Sequence, residues 1–286
     1  MKSFVRWGTK LGLVGSVVLA TVMTGLAPVI ALTQQQIKEK LDDVPVWLIT
    51  NPQGLPLSRQ IPAGQNGQKP ATVTGVYMSR QEAQAFISNL QKTASQDPKM
   101  AEMVKSLRPT AVPLGSIYQQ LEETKNKADR LVFAFKPVDA EIKAATDLLR
   151  ASGQEVQQFK SIPLFMVRFA PDKGYVPIKL GQQGKEYIPM FLSKKDADQL
   201  LSQVKPKFPQ ADIQVVDVDG VLQTMKEKND AWLNQVVFFP SQEAREYLLK
   251  LSQQQGGGQA PAPRTNNRQS GGQTPAPRTN NAAPKK

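Results

Sequence analysis

The 286-residue chain contains no cysteine and no histidine. These two absences remove thiol nucleophiles, histidine general bases, Ser-His-Asp triads and the usual zinc ligand sets. Carboxylate chemistry stays open. Without cysteine there is no disulfide framework, and the composition suits an oxidising space, where an unpaired thiol is a liability. A clustered basic face is missing as well. The formal charge is +12, but residues 1–31 carry Lys2, Arg6 and Lys10 with no acid. Residues 256–286 carry Arg264, Arg268, Arg278, Lys285 and Lys286 with no acid. Removing those three and five charges leaves +4 for the body, where both signs are interspersed as on a soluble domain. No nucleic-acid partner is expected, and no motif calls for a cofactor.

The ends set the boundaries. Three basic residues precede an apolar run over residues 11–31, and Val29-Ile30-Ala31 offers a small-residue cleavage site. This predicts a signal peptide over residues 1–31, cut after Ala31. The rival reading is an uncleaved anchor, because the run approaches the ~20 residues that a spanning helix needs. Thr21, Thr24, Gly25 and Pro28 weaken it as a span, so no stable transmembrane insertion is expected after cleavage. Residues 253–286 are Gln, Gly, Pro, Asn and Ala, with PAPRTNN occurring twice. Lacking core-forming side chains, they read as a disordered basic tail.

Between the ends, two stretches share one pattern: VYMSRQEAQAFISNL at residues 76–90 and MFLSKKDADQLLSQV at 190–204. Each reads as a strand end, a serine cap and an amphipathic helix. Ala83, Phe86, Ile87 and Leu90 share one helix face, and Ala197, Leu200, Leu201 and Val204 repeat it at a constant offset of 114. Ser79 with Glu82 makes a capping box, and Ser193 with Asp196 a shorter one. Strand and helix candidates follow in the same order in both stretches of chain. The offset falls to 104 at Val112 and Val216, so about ten extra residues sit in the first copy, the size of a helix over residues 100–107. The fold class is therefore mixed α/β (α+β) with two similar, pseudo-symmetric halves from an internal duplication. Residues 32–252 form a two-lobed domain, half one 44–158 and half two 159–252. Residues 58–70 read as an exposed loop.

Two features bear on chemistry. Asp217-Val218-Asp219-Gly220 resembles the first motif of haloacid-dehalogenase-type phosphohydrolases, in which the first aspartate attacks phosphorus, the second is acid/base and magnesium offsets the charge. Against it, little sheet follows the motif, and the matching point in half one, Pro113-Leu114-Gly115-Ser116, has no carboxylate. The plainer reading is a strand end and helix N-cap supplied by Asp219. Trp47, Phe86, Phe165, Phe191 and Trp232 line a candidate apolar groove for client segments. The alternative is that such residues are core. Met100 and Met103 suit a pliable surface or packing equally.

The ordered set VPVWLITNPQGLPL, GVYMSRQEAQAFISNL, AVPLGSIYQQL, RLVFAFKP, IPLFMVRF, YIPMFLSKKDADQLL and WLNQVVFFPSQEA resembles the twenty-two-kilodalton Tic family. The family is named for the translocon at the inner chloroplast envelope, and the resemblance is to its cyanobacterial, secreted members. It covers roughly residues 33–251. It implies a pseudo-symmetric α/β fold with apolar grooves and no transferable catalytic residues. It also implies a chaperone-like role between two membranes: precursor transfer in chloroplasts, and in cyanobacteria outer-membrane biogenesis with the barrel-assembly protein of the Omp family. The expectation is a non-enzymatic exported factor in the periplasm, or also the thylakoid lumen, that holds unfolded or precursor proteins. A magnesium phosphohydrolase and a cell-envelope binder acting through the basic tail are the alternatives.

Overall fold

A computed structural model describes residues 31–62, 70–94, 97–127, 130–157, 159, 161–180, 184–228 and 230–256. The expected signal segment up to residue 30 and the tail from residue 257 lie outside the described residues. The chain opens with α1 (Gln34–Asp42), whose capping box forms: Thr33 Oγ1 accepts from Gln36 N at 3.2 Å, and Gln36 Oε1 accepts from Thr33 N at 2.8 Å. Then come β1 (Pro45–Thr50), β2 (Ser58–Ile61), β3 (Ala71–Tyr77), α2 (Arg80–Ala94), α3 (Pro98–Lys105), β4 (Arg108–Pro113), α4 (Leu114–Thr124), β5 (Leu131–Lys136) and α5 (Asp139–Ala151). The second series is β6 (Pro163–Arg168), β7 (Ile178–Leu180), β8 (Lys185–Phe191), α6 (Lys194–Val204), β9 (Asp212–Asp217), α7 (Val218–Glu227), a 3-10 turn (Ala231–Gln235), β10 (Val236–Phe239) and α8 (Gln242–Gly256).

The two series build two sheets of one topology. Sheet one runs β5-β3-β1-β4 with β2 also on β3; sheet two runs β10-β8-β6-β9 with β7 on β8. In each, the pairing β3/β5 or β8/β10 is parallel and the rest antiparallel. Backbone bonds recur at matched points. Leu114 N donates to Val44 O at 2.8 Å and Val218 N to Ile162 O at 3.1 Å; Met78 N donates to Lys136 O and Leu192 N to Phe239 O, both at 3.1 Å. Trp47 faces Ala111 across its ladder as Phe165 faces Val215, so these two aromatics hold one and the same place.

Strand alternation sorts the side chains into layers. Val46, Val76, Leu164 and Met190 point into a central core filled by Ile37 and Leu41 of α1, Ile117 of α4, and Val221 and Met225 of α7. Trp47, Ile49 and Tyr77 point the other way, under Ala83 and Ile87 of α2 and Val104 of α3. On sheet two, Phe165, Val167 and Phe191 lie under Ala197 and Leu201 of α6 and Ala145 and Leu148 of α5. Thus α5, which ends the first series, covers the second sheet. Reciprocally, Ala244 in the first turn of α8 joins the outer cluster of sheet one. From Arg245 onward α8 belongs to a second compact unit, on which Leu249 is 61% exposed.

Several local expectations change. Ser79 Oγ does cap α2, accepting from Gln81 N at 3.1 Å and Glu82 N at 3.3 Å, but Glu82 does not complete a box, because its Oε1 takes the N–H of Asp139 instead. Ser193 makes no side-chain cap bond. At α7 the cap is Asp217, not Asp219. The loop expected over residues 58–70 contains β2, a polar exposed strand that apolar patterning could not flag. Met100 and Met103 stand out from α3 into solvent, leaving Val104 and Leu107 as its buried side. Residues 253–256, read as tail, extend α8, because glutamines continue a helix until glycine stops it.

Candidate functional site

The sheets meet around one pocket, and its lining comes in matched pairs. Val44 answers Ile162, Pro45 answers Pro163, and Met78 answers Leu192, each pair set by the equivalent backbone bonds above. Val138 and Ser241 stand two residues past Lys136 and Phe239, and Glu141 and Ala244 five past. The pocket therefore lies on the axis that relates the halves. It is a small cleft open to solvent, with room inside for about one water. Its walls are apolar, with Glu141 and Ser241 as the polar side chains.

Helix starts gather at this axis, and carboxylates from other elements hold them. Glu243 Oε1 accepts from Gln81 N at 3.0 Å, Glu82 Oε1 from Asp139 N at 3.0 Å, and Glu141 Oε2 from Lys194 N at 2.8 Å. Each satisfies an N–H that a helix leaves unpaired and places negative charge at the positive end of a helix dipole. Glu82 Oε2 is buried without a partner among the described residues. Burial, and then the neighbouring Glu82 charge, push the Tyr77 phenol up from its ordinary value. Away from the axis, Glu122 of α4 accepts from Lys226 of α7 at 2.5 Å, Lys125 at 2.7 Å and Gln34 of α1 at 3.1 Å. Burial alone would raise the Glu122 carboxyl, but these lysine contacts outweigh it and hold the pKa below 4.5.

The Tic22-like family model matches residues 9–249. A solved structure, Anabaena Tic22, is 65% identical to the chain, covers 77% of it and 97% of its own length, and superposes with a TM-score of 0.74. The chain belongs to the Tic22-like family. Tic22 from Plasmodium falciparum, at 18% identity, shares the fold with a TM-score of 0.55 over 76% of this chain and 98% of its own. No curated protein sequence matches.

Within this Tic22-like fold the five expected groove residues do not share a site. Trp47 is 1% exposed, Phe165 0% and Phe191 4%. All three face a helix layer, which closes over them and makes them core. Phe86 is 40% exposed and leans on Tyr77 with ring centroids 5.7 Å apart. Trp232 is half-buried against Tyr175 at 5.6 Å, far along the chain from the others. The axial pocket was missed because its residues are ordinary apolar ones. A sequence signal existed in Pro45 and Pro163, which start matched strands. Asp217 and Asp219 have structural partners: Asp217 Oδ1 accepts from Gly220 N at 2.7 Å, and Asp219 Oδ2 accepts from Ser161 Oγ at 3.1 Å. Asp217 ends β9, an antiparallel edge strand paired to β6, and Asp219 lies in the first turn of α7. A phosphohydrolase motif of the expected kind ends a strand inside a parallel sheet. Among the described residues, no helix is long and apolar enough to cross a membrane.

Proposed function

We propose that the protein is an exported chaperone-like factor in protein transport that holds apolar segments of client polypeptides between two membranes. The observation that carries this reading is the 65% identity, over nearly the whole of its length, to a Tic22 described as a protein-transport protein. The axial pocket supports it. A small, open, mainly aliphatic cleft with one carboxylate offers shallow contact to the tip of an apolar side chain, with specificity resting on shape, since few polar groups are present. The same reading takes the two halves, 44–158 and 159–252, as copies of one ancestral unit, in keeping with the shared strand order. It places the protein in the periplasm, or also the thylakoid lumen, after cleavage at Ala31. Its partners are unfolded or precursor proteins and the Omp-family barrel-assembly protein of the outer membrane. No observation favours the phosphohydrolase reading.

The test is suppression of aggregation of a urea-unfolded outer-membrane barrel protein, with pull-down from a periplasmic fraction. The wild type should suppress aggregation. Ser241→Trp, which fills the pocket mouth, should suppress it several-fold less than Ser241→Ala, since both lose the cap on Ala244 N and only the first fills the pocket. Absence of both protection and captured client would sink the proposal. N-terminal sequencing of the secreted chain checks the cleavage point.

A further inference from the structure

The two sheets end on four comparable edge strands, and three of them are blocked. β4 carries Pro109 and Pro113, neither with an N–H to offer, and β9 has an acid at each end, Asp212 and Asp217. β10 is four residues long, and its Val236 carbonyl already accepts from Lys40 Nζ at 2.9 Å. Proline, charge, shortness and covering are the devices by which sheet edges avoid pairing. β5 carries them only at its ends: its sequence is LVFAFK with a single charge last, and the end of α4 packs against its start, leaving the middle of the strand uncovered. Its matched partner β10 is covered by α1, and nothing equivalent to α1 precedes the second half.

The open groups on β5 can be named. Thr72 N donates to Arg130 O at 3.3 Å and Met78 N to Lys136 O at 3.1 Å, so the even-numbered residues face β3. Alternation in a parallel ladder turns the N–H and C=O of Leu131, Phe133 and Phe135 to the open side. Leu131 N is taken by Thr124 Oγ1 at 3.3 Å. The backbone groups of Phe133 and Phe135 on that side have no partner among the described residues, while both side chains stay packed on the central core. Ala134, between them, is exposed.

Resting on the transport reading above, we propose that the free edge of β5 takes an extended, mainly apolar segment of a client polypeptide as an added strand of sheet one. The vacancy is a row of backbone donors and acceptors, and an extended backbone is what satisfies it. Charge selects the occupant. In a symmetric antiparallel pairing of two copies centred on Phe133, Arg130 would face Lys136 at both ends, and like charges directly opposite are destabilising. Lys136 is already held by Asp139 of its own chain, so the cation that favours an acidic residue on the client strand is the exposed Arg130.

The experiment uses the full mature chain and a fluorescein-labelled peptide of alternating valine and threonine with an aspartate at each end. Anisotropy measures binding, and hydrogen exchange locates it. The expected result is slowed exchange at the amides of Phe133 and Phe135. A peptide N-methylated at alternate residues, which keeps its side chains but loses those N–H groups, should bind about tenfold more weakly. Ala134→Glu, an edge charge of the peptide's own sign on an exposed site, should also weaken binding without lowering Tm. Equal binding of the methylated peptide, or protection elsewhere, overturns the edge proposal and leaves the transport reading standing. Binding of neither the peptide nor an unfolded barrel protein overturns both. Protection at Phe133 and Phe135 in the free protein, with a dimer by light scattering, makes a second copy the occupant and overturns the choice of client.

Discussion

At matched positions in the two sheets, Trp47 and Phe165 are alike and Gly115 and Asp219 are opposites. Both aromatics lie at the centre of an outer face, each sealed by a helix pair or its first turn. Gly115 instead opens α4 directly against α1, where an added Cβ would sit 2.2 Å from Asp42 Oδ1 and 2.5 Å from the Lys38 carbonyl. Asp219 holds the same place on α7 and is exposed. Sheet-and-helix packing is thus duplicated, whereas the surroundings of α4 and α7 are not. The element that breaks the likeness is α1, which has no counterpart in the second half. It packs Ile37 and Leu41 into the central core and covers the end of β10 with Lys40.

The largest effect tests the likeness. Trp47→Ala and Phe165→Ala should each cost about 3–5 kcal/mol, the range for emptying a buried aromatic site. Against a total stability of about 5–15 kcal/mol, either change leaves little margin. Phe86→Ala, at 40% exposure, should cost about 1 kcal/mol or less. Urea unfolding measures all three. A small cost at Trp47 or Phe165 would mean that the outer layers do not seal and would return those residues to the client-binding surface.

Next comes the unlikeness. Gly115→Ala should cost about 2–3 kcal/mol, because the obstructing atoms include backbone and cannot simply rotate away. If the urea midpoint of Gly115→Ala equalled that of the wild type, α1 would be free to shift, and its role as the asymmetric wedge would fail.

What could be read from the sequence follows the same division. Periodicity was enough to place Ala83, Ile87 and Ala197 on buried helix faces, and the offset of 114 relates two stretches that take like positions in two sheets of one strand order. Local pattern fixes a face but not its partner, so nothing near residues 139–151 announced that α5 would cross to sheet two. The carboxylate of Glu82 illustrates the same limit. Three residues after a serine it fits a capping box, yet the N–H of Asp139 lies within its reach only in the folded chain. Trp47, Phe165 and Phe191 read identically from sequence whether a helix layer or a client covers them. The axial pocket exists only where the two halves meet, so no single stretch encodes it.

A smaller effect probes the bridge between the unlike elements. Glu122 joins α4 to α7 and, through Gln34, to α1. Glu122→Gln should cost about 1 kcal/mol at neutral pH, a modest figure because solvent reaches both lysines. The carboxyl has a folded pKa depressed below 4.5, so its contribution is present above the unfolded value and is lost as pH falls through the folded one. On the lysine side, burial alone would lower Lys226, but the Glu122 hydrogen bond together with the Tyr118 contacts and the Glu122 charge outweighs it and raises the pKa, so that side is lost only as pH rises above the ordinary lysine range. The gap between wild type and Glu122→Gln in urea unfolding should stay level through neutral pH and close as pH falls through and below the ordinary carboxylate range. A gap that persists undiminished at pH 3 would assign the effect to packing rather than charge.

The smallest effect is expected at Asp219, the counterpart of Gly115. Its side chain is exposed and accepts one hydroxyl bond, from Ser161 at 3.1 Å, so Asp219→Ala should change stability by no more than about 0.5 kcal/mol. Asp217→Ala should cost more, near 1 kcal/mol, because it removes the cap on Gly220 N. Structural capping therefore ranks Asp217 well above Asp219 in urea unfolding. A shared catalytic role would instead show as loss of chromogenic phosphate-ester hydrolysis in both variants, at similar stability. If the wild type hydrolyses the ester and both variants lose it, the second half would carry chemistry that the first half lacks, and the likeness of the two sheets would stop at their strand order.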